Sequence, residues 1–195
     1  DNDSVDFYVE ENSTIISCVS CGHLNPNLFR EKKCIGVIFY GTDILMKIVP
    51  VTEKNILFDL SIEIKLKFIP TAFYTSKAGT IYISSDEGDI YSLIVSINQN
   101  TGEIETTIKN LTRNRFLRML PTILFTGSQI LQIAVDEEAQ ILASLDLNSV
   151  IKFYKIDNDK MNLISKFNPM DYDDDLAVSY ISAIPLSSSN SIKFV

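Results

Sequence analysis

The amino-acid sequence predicts an all-β fold, specifically a partial β-propeller of about three four-stranded blades with a short amphipathic helical insertion. Three observations lead to this prediction. Runs of Val, Ile, Phe, Tyr and Thr recur along the chain and are broken by Gly, Asn and Asp, which is typical of short strands joined by turns. Two strand-rich segments align with each other without a gap, as repeated blades do. A single internal segment has the spacing of an amphipathic helix.

Three pairs of neighbouring strands are predicted to form hairpins. The two strands of each pair are separated by a short polar stretch. In the second pair this stretch contains Gly88, which readily adopts a positive φ, and in the third it contains Asn148, which tolerates a left-handed conformation. The predicted strand pairs are 35–40 with 44–49, 80–84 with 89–95, and 141–144 with 149–154. Consecutive hairpins of this kind favour antiparallel sheets.

The repeat consists of residues 73–90 aligned with residues 133–150. The alignment places Ile81 on Ile141, Ser84 on Ser144, Asp86 on Asp146 and Ile90 on Val150. In both segments one strand leads through a polar turn into a second and a third, which matches three strands of a blade. Propeller blades usually repeat at about 40–50 residues, so an insertion must lie between the two units, and it is predicted at 98–128. A chance match between two segments of a β-sandwich is the alternative.

The predicted insertion contains the one segment with helical periodicity, residues 111–125. At about 100° per residue its large apolar side chains fall on one face, and Arg115, Arg118 and Thr122 fall opposite. An apolar face buries in the acyl boundary of a membrane while a basic face meets anionic headgroups. The predicted membrane-binding residues are Arg113, Arg115, Phe116, Leu117, Arg118, Met119, Leu120, Ile123 and Leu124. Pro121 would kink or end the helix, and the apolar face packing on the propeller is the alternative.

Composition and charge argue against several other classes of protein. Hydrophobic residues make up 46% of the chain and charged residues 22%, and no apolar stretch approaches the roughly 20 residues that span a bilayer. The formal net charge of −8 argues against direct nucleic-acid binding, which needs a basic face. We expect a fragment of one propeller domain over 1–195, because the chain starts without Met and stops within a predicted strand. Segments 1–12 and 168–178 are expected to be loops or disordered.

The cysteines and the single histidine raise the possibility of a metal or redox site. Cys18, Cys21, His23 and Cys34 include three thiols and one imidazole, the ligand types that zinc prefers. Only one close pair is present, however, and Cys18 lies in an apolar run, so the cysteines are expected to behave as small hydrophobic residues. No Ser/His/Asp set or phosphate-binding loop accompanies them. The sequence therefore predicts a protein that is not an enzyme, with no metal, no cofactor and no small-molecule substrate.

Several of these motifs resemble the large scaffold nucleoporins of the inner ring of the nuclear pore complex, which join an N-terminal β-propeller to an α-solenoid. The motifs occur in the family's order along the chain from about Ile15. Residues 79–91 resemble one blade, and residues 130–136 with 141–142 and 150–154 resemble a second. Residues 119–124 resemble the apolar loop between blades, and residues 181–185 with 191–195 resemble the start of the next blade. A Trp-containing aromatic pair expected before Leu111 is missing.

The resemblance implies a seven-bladed propeller that acts as a structural scaffold and helps anchor the inner ring to the nuclear envelope. In that family an amphipathic loop contacts the membrane, and its matching positions here are Phe116, Leu117, Leu120, Ile123 and Leu124. The implied partners are other nucleoporins and the membrane surface, and the implied location is the nuclear pore complex. A non-catalytic propeller adaptor of another large assembly is the alternative.

Overall fold

The computed structural model describes residues 16–24, 26–29, 34–112, 127–157, 160–172, 177–184 and 193–194. Within these residues the chain forms strands joined by turns and three short 3-10 helices, at Pro26–Phe29, Phe58–Leu60 and Pro169–Asp171. The strands are β1 (Ile16–Gly22), β2 (Gly36–Thr42), β3 (Leu45–Val51), β4 (Ile62–Lys65), β5 (Pro70–Thr75), β6 (Ile81–Ser85), β7 (Ile90–Ile97), β8 (Ile104–Asn110), β9 (Ile130–Asp136), β10 (Ile141–Asp146), β11 (Ile151–Asp157), β12 (Lys160–Phe167), β13 (Ala183–Ile184) and β14 (Lys193–Phe194).

Twelve of the strands make three four-stranded antiparallel sheets, each built from consecutive strands. The first sheet has the order β1-β2-β3-β4, the second β5-β6-β7-β8 and the third β9-β10-β11-β12. The three predicted hairpins are confirmed as the pairs β2–β3, β6–β7 and β10–β11. A further antiparallel ladder joins β13 to β14, where the sequence places the start of the next blade.

The first strands of the sheets lie next to one another, as the inner strands of a propeller do. β1 contacts β5, β5 contacts β9, and β9 contacts β13. The faces of successive sheets pack together, so that Phe39 of the first sheet and Ile81 of the second share one core, while Ile90 of the second and Leu142 of the third share another. All four side chains are fully buried. Burying a side chain of this size contributes about 1.5–3 kcal/mol, so the contacts between sheets hold the arrangement together.

The repeat between the second and third sheets is confirmed, but its predicted alignment is wrong by one residue after the first turn. Ile81 pairs with Thr75 on one side and Leu93 on the other. The residue with equivalent neighbours in the third sheet is Leu142, which pairs with Val135 and Tyr154. The connection over 136–141 is one residue longer than that over 76–80. This extra residue shifts by one the match between the second and third sheets for all later residues.

The boundaries of the predicted insertion and loops can be compared with these elements. Residues 104–110 of the predicted 98–128 insertion form β8, the outer strand of the second sheet. The predicted helix over 111–125 lies almost wholly outside the described residues, as does the whole of 1–12. Segment 168–178 contains the 3-10 helix Pro169–Asp171. No helix within the described part of the chain is long and apolar enough to cross a membrane.

Candidate functional site

The nine predicted membrane-binding residues all lie in 113–126, outside the described residues. They are Arg113, Arg115, Phe116, Leu117, Arg118, Met119, Leu120, Ile123 and Leu124. The structure does describe the residues on both sides of this stretch. The chain before it ends at Thr112, directly after β8, and the chain after it resumes at Gly127, directly before β9. The geometry of these two ends defines where the stretch is attached.

The end that precedes the stretch is held by hydrogen bonds to the second sheet. Thr112 Oγ1 donates to Asp89 Oδ1 at 3.1 Å and accepts from the backbone N–H of Ile90 at 3.1 Å. The backbone N–H of Leu111 donates to Ile90 O at 2.8 Å. Asn110 Oδ1 accepts from the Thr112 backbone N–H at 3.0 Å, which closes a local turn. Asp89, Ile90 and Leu111 are buried, so the attachment is part of the folded body.

The end that follows the stretch is held by close contact with the same turn of the second sheet, Ser85–Asp89. Gly88 has a φ of 83°, a conformation that other residues rarely adopt. A Cβ on Gly88 would stand 2.7 Å from Ser128 O, and a Cβ on Gly127 would stand 3.0 Å from Glu87 O. Only glycine allows the two backbones to approach so closely. The chain therefore leaves and returns at one point on the surface, the β6–β7 turn.

A cleft of about 360 Å³ opens elsewhere, where the inner strands of the sheets meet. Its lining comes from β1, β5, β9 and β13 together with the turns that follow β5 and β9. The lining residues that carry polar or charged side chains are Ser20, Tyr74, Lys77, Asp136, Glu137, Glu138, Tyr180 and Ser182. The described lining contains neither Cys nor His, so no nucleophile activated by an imidazole is assembled there.

Glu137 joins the second and third sheets at the rim of this cleft. Its two carboxylate oxygens accept from the backbone N–H of Lys77, each at 3.0 Å, and Oε1 also accepts from the Tyr74 hydroxyl at 3.1 Å. Burial, with the negative charge of Glu137 as the next cause, raises the pKa of Tyr74 to about 12. The phenol therefore stays protonated and keeps donating to Glu137 at neutral pH.

The structure separates the four residues considered as zinc ligands. From Cys18 to Cys21 the strand β1 is regular, and residues three apart in a strand point to opposite faces. Cys18 Sγ donates to Pro70 O at 3.4 Å, and burial raises the pKa of this thiol to about 11. Cys21 is exposed, whereas His23 and Cys34 line another small cavity. Among the residues that the structure describes, no three His, Cys, Asp or Glu side chains are grouped to hold a metal ion.

The role of the β6–β7 turn as the attachment point of 113–126 was not predicted from the sequence. Gly88 was predicted to be a turn residue, and this prediction is confirmed by its φ of 83°. The contacts of Gly88 with Gly127 and of Asp89 with Thr112 join residues far apart in the chain. A local pattern cannot show such contacts. The one available signal was a second glycine, Gly127, at the other end of the same stretch.

Comparison with known proteins gives a family and a fold. The model of the nucleoporin N-terminal family described as "Nup133 N terminal like" matches residues 37–195. Among solved structures, the chain is similar to the N-terminal domain of Nup170 from Chaetomium thermophilum, determined in complex with Nup53, with a TM-score of 0.51 and 16% sequence identity. This similarity covers 82% of the chain but only 23% of the Nup170 chain, and at this identity it shows the fold alone. No curated protein matches the chain.

Proposed function

Since the chain belongs to the nucleoporin family described as Nup133 N terminal like, we propose that it is a structural, non-catalytic propeller module of the nuclear pore scaffold. The observation that carries the proposal is that the family match, 37–195, takes in most of the first sheet, the whole of the second and third, and the β13–β14 ladder. Family membership implies a location at the nuclear pore complex of the nuclear envelope. A rigid array of packed sheets suits a scaffold, because its surface holds partners in fixed positions.

Other nucleoporins are the proposed partners of this module. The support is the similarity to the Nup170 N-terminal domain, which was determined in complex with Nup53. The test is affinity capture of the tagged chain from a nuclear-envelope extract, followed by identification of the bound proteins. We expect nucleoporins to be enriched over a capture with the tag alone. Enrichment of another assembly without nucleoporins would instead favour the adaptor role.

The second part of the proposal is that the stretch 113–126 contacts the membrane surface. Its apolar residues would bury in the acyl boundary, while Arg113, Arg115 and Arg118 would meet anionic headgroups. The described ends support this role, because both are held at the β6–β7 turn by buried hydrogen bonds and close backbone contact. A membrane contact made by this stretch would therefore hold the second sheet itself at the membrane surface, because both ends of the stretch are fixed to that sheet.

Vesicle flotation tests the membrane contact with two matched variants. Leu120→Asp adds one negative charge on the predicted apolar face, and Thr122→Asp adds the same charge on the opposite face. We expect the parent chain to float with vesicles that contain anionic lipid. Thr122→Asp should float less than the parent, because one added negative charge weakens the attraction to anionic headgroups, and Leu120→Asp should stay in the dense fraction, because it loses the apolar contact in addition. Thermal unfolding of all three must agree, so that the comparison reports binding and not folding.

Two outcomes would contradict the membrane proposal. Flotation of Leu120→Asp at the level of the parent would show that the apolar face is not the membrane contact. Absence of flotation for the parent would indicate that the apolar residues pack on the propeller, and that protein partners carry the function alone.

A further inference from the structure

The outer edges of the three sheets differ in how open they are to another strand. The edge strand β4 has only four residues. The edge strand β12 is interrupted by a register shift opposite Phe153 and Tyr154, and it carries exposed Lys160 and Lys166. Short strands, bulges and lysines protect sheet edges against pairing with other chains. The edge strand β8 is seven residues long and pairs with β7 in unbroken register, so it lacks the first two of these protections.

The hydrogen-bond pattern of the β7–β8 hairpin shows which groups of β8 face outward. Asn98 N–H donates to Glu103 O at one end of the hairpin, and Leu111 N–H donates to Ile90 O at the other. Hydrogen-bonded and non-hydrogen-bonded pairs alternate along an antiparallel ladder. The backbone N–H and C=O groups of Ile104, Thr106 and Ile108 therefore point away from β7. None of them has a hydrogen-bond partner among the described residues.

A second antiparallel copy of β8, placed in full overlap, brings opposite charges together. Because 104 then lies opposite 110, Glu105 lies opposite Lys109 of the second copy, and Thr107 lies opposite its own equivalent. The outward-facing residues meet as hydrogen-bonded pairs, with Thr106 opposite Ile108 of the second copy. Glu105 and Lys109 meet in a non-hydrogen-bonded pair, in which side chains are closest. Symmetry produces this ion pair twice.

The same operation on β12 brings no opposite charges together. Full antiparallel overlap of two copies of β12 places Lys160 opposite Phe167 and Lys166 opposite Met161 of the second copy. The strand carries two lysines and no acidic residue, so two copies of it cannot form an ion pair, and the register shift interrupts its ladder. Of the two long outer edges, β8 is therefore complementary to itself in charge and β12 is not.

We propose that β8, the outer edge of the second sheet, pairs in antiparallel fashion with β8 of a second copy of this chain. The two second sheets then form one continuous eight-stranded sheet across a twofold axis. Ile104 and Ile108 are 45% and 38% exposed and lie on one face of β8. In this register Ile108 of one copy lies diagonally across from Ile104 and Ile108 of the other, within reach of long side chains. Seven residue pairs make an interface below the roughly 1,200 Å² of standard complexes, so the dimer is weak and dependent on concentration.

The test is sedimentation velocity over a wide range of protein concentration, which measures the dimer dissociation constant. It compares the parent chain with variants in which the charges at positions 105 and 109 are reversed singly and together. Glu105→Lys places lysine opposite lysine, and Lys109→Glu places glutamate opposite glutamate. Each single variant is expected to raise the dimer dissociation constant by about tenfold. The double variant Glu105→Lys/Lys109→Glu restores both opposite-charge pairs and is expected to return the dissociation constant close to that of the parent. Circular dichroism and thermal unfolding check that all variants are folded.

Thr106→Pro provides an independent variant that changes no charge. Proline removes one outward N–H and leaves the hydrogen bonds between β8 and β7 in place, since proline is tolerated at sheet edges. This variant is expected to be monomeric at every concentration. The proposal is overturned by a parent that is monomeric throughout, by a double variant as weak as the single ones, or by a Thr106→Pro variant that dimerises like the parent.

Discussion

Gly22, at the end of β1, lies where the first and second sheets pack closely against each other. A Cβ at this position would stand 2.7 Å from Thr75 Oγ1 and 2.8 Å from Thr75 Cβ. Gly22→Ala therefore forces the inner strands apart, and overpacking of this kind costs about 1–3 kcal/mol. We expect the free energy of unfolding, measured with urea, to fall by this amount.

Gly36→Ala is the matched control for this substitution. Gly36 lies on β2 of the same sheet, and a Cβ there would stand 3.4 Å from the nearest atom, Gly22 O. This is ordinary van der Waals contact, so the variant should unfold close to the parent. Equal losses of stability in Gly22→Ala and Gly36→Ala would contradict the tight packing of β1 on β5.

Tyr74 links the stability of the chain to alkaline pH. Its pKa is raised from an ordinary value of about 10 to about 12 by burial and by Glu137. Between these two values the unfolded chain has lost the proton while the folded chain retains it, so the free energy of unfolding falls as the pH rises. Tyr82 and Tyr154, whose pKa values are also raised, contribute in the same direction.

Tyr74→Phe tests this link, since phenylalanine has no proton to lose. Urea unfolding at a series of pH values should show a shallower decline for Tyr74→Phe than for the parent between about pH 10 and 12. Below pH 10 the variant should lack only the hydrogen bond to Glu137. An identical alkaline decline in both proteins would rule out Tyr74 as a source of the effect.

The β6–β7 turn is the element that connects the fold to the proposed membrane contact. Thr112→Val removes the hydroxyl that accepts from the fully buried Ile90 N–H, while it preserves the shape of the side chain. Leaving such a donor without an acceptor costs about 1–3 kcal/mol. Thermal unfolding should therefore show a clear loss for Thr112→Val and a small one for Thr112→Ser, which keeps the hydroxyl. Comparable losses in the two variants would mean that this bond does not hold the turn.

The largely buried central strands β6 and β10 could be predicted from the sequence, whereas the edge strand β8 could not. β6 and β10 bury most of their residues, so they read as apolar runs bounded by turn residues. β8 contains Glu105, Thr106, Thr107 and Lys109 and is largely exposed, so neither an apolar run nor a clear alternation marks it as a strand. For this reason β8 was predicted to be part of the insertion 98–128.

The one-residue error in the predicted repeat has a different physical cause. Both turns are polar, and both bring a residue into positive φ, Gly79 in the second sheet and Gln140 in the third. A gapless alignment matches the strands on either side almost equally well, because neighbouring residues are apolar in both. Pairing of Leu142 with Val135 decides the register, and this is a contact between strands that composition does not encode.

Taken together, the sheets repeat one arrangement, in which a four-stranded meander packs its face on the next and brings its first strand to a common centre. Sequence motifs in order along the chain were enough to predict this fold and the family to which it belongs. They were not enough to predict the cleft between the inner strands or the attachment of 113–126. Both of these arise where separate sheets meet, and so they depend on the relative placement of the repeats.

The measurement that decides the scaffold role is the position of the chain in cells. The full chain, fused to a fluorescent protein, is imaged together with a marker of the nuclear pore, and the fluorescent protein alone serves as the control. We expect a punctate signal at the nuclear rim that coincides with the marker. A signal spread evenly through the cell, from a fusion shown to be folded and intact, would contradict it.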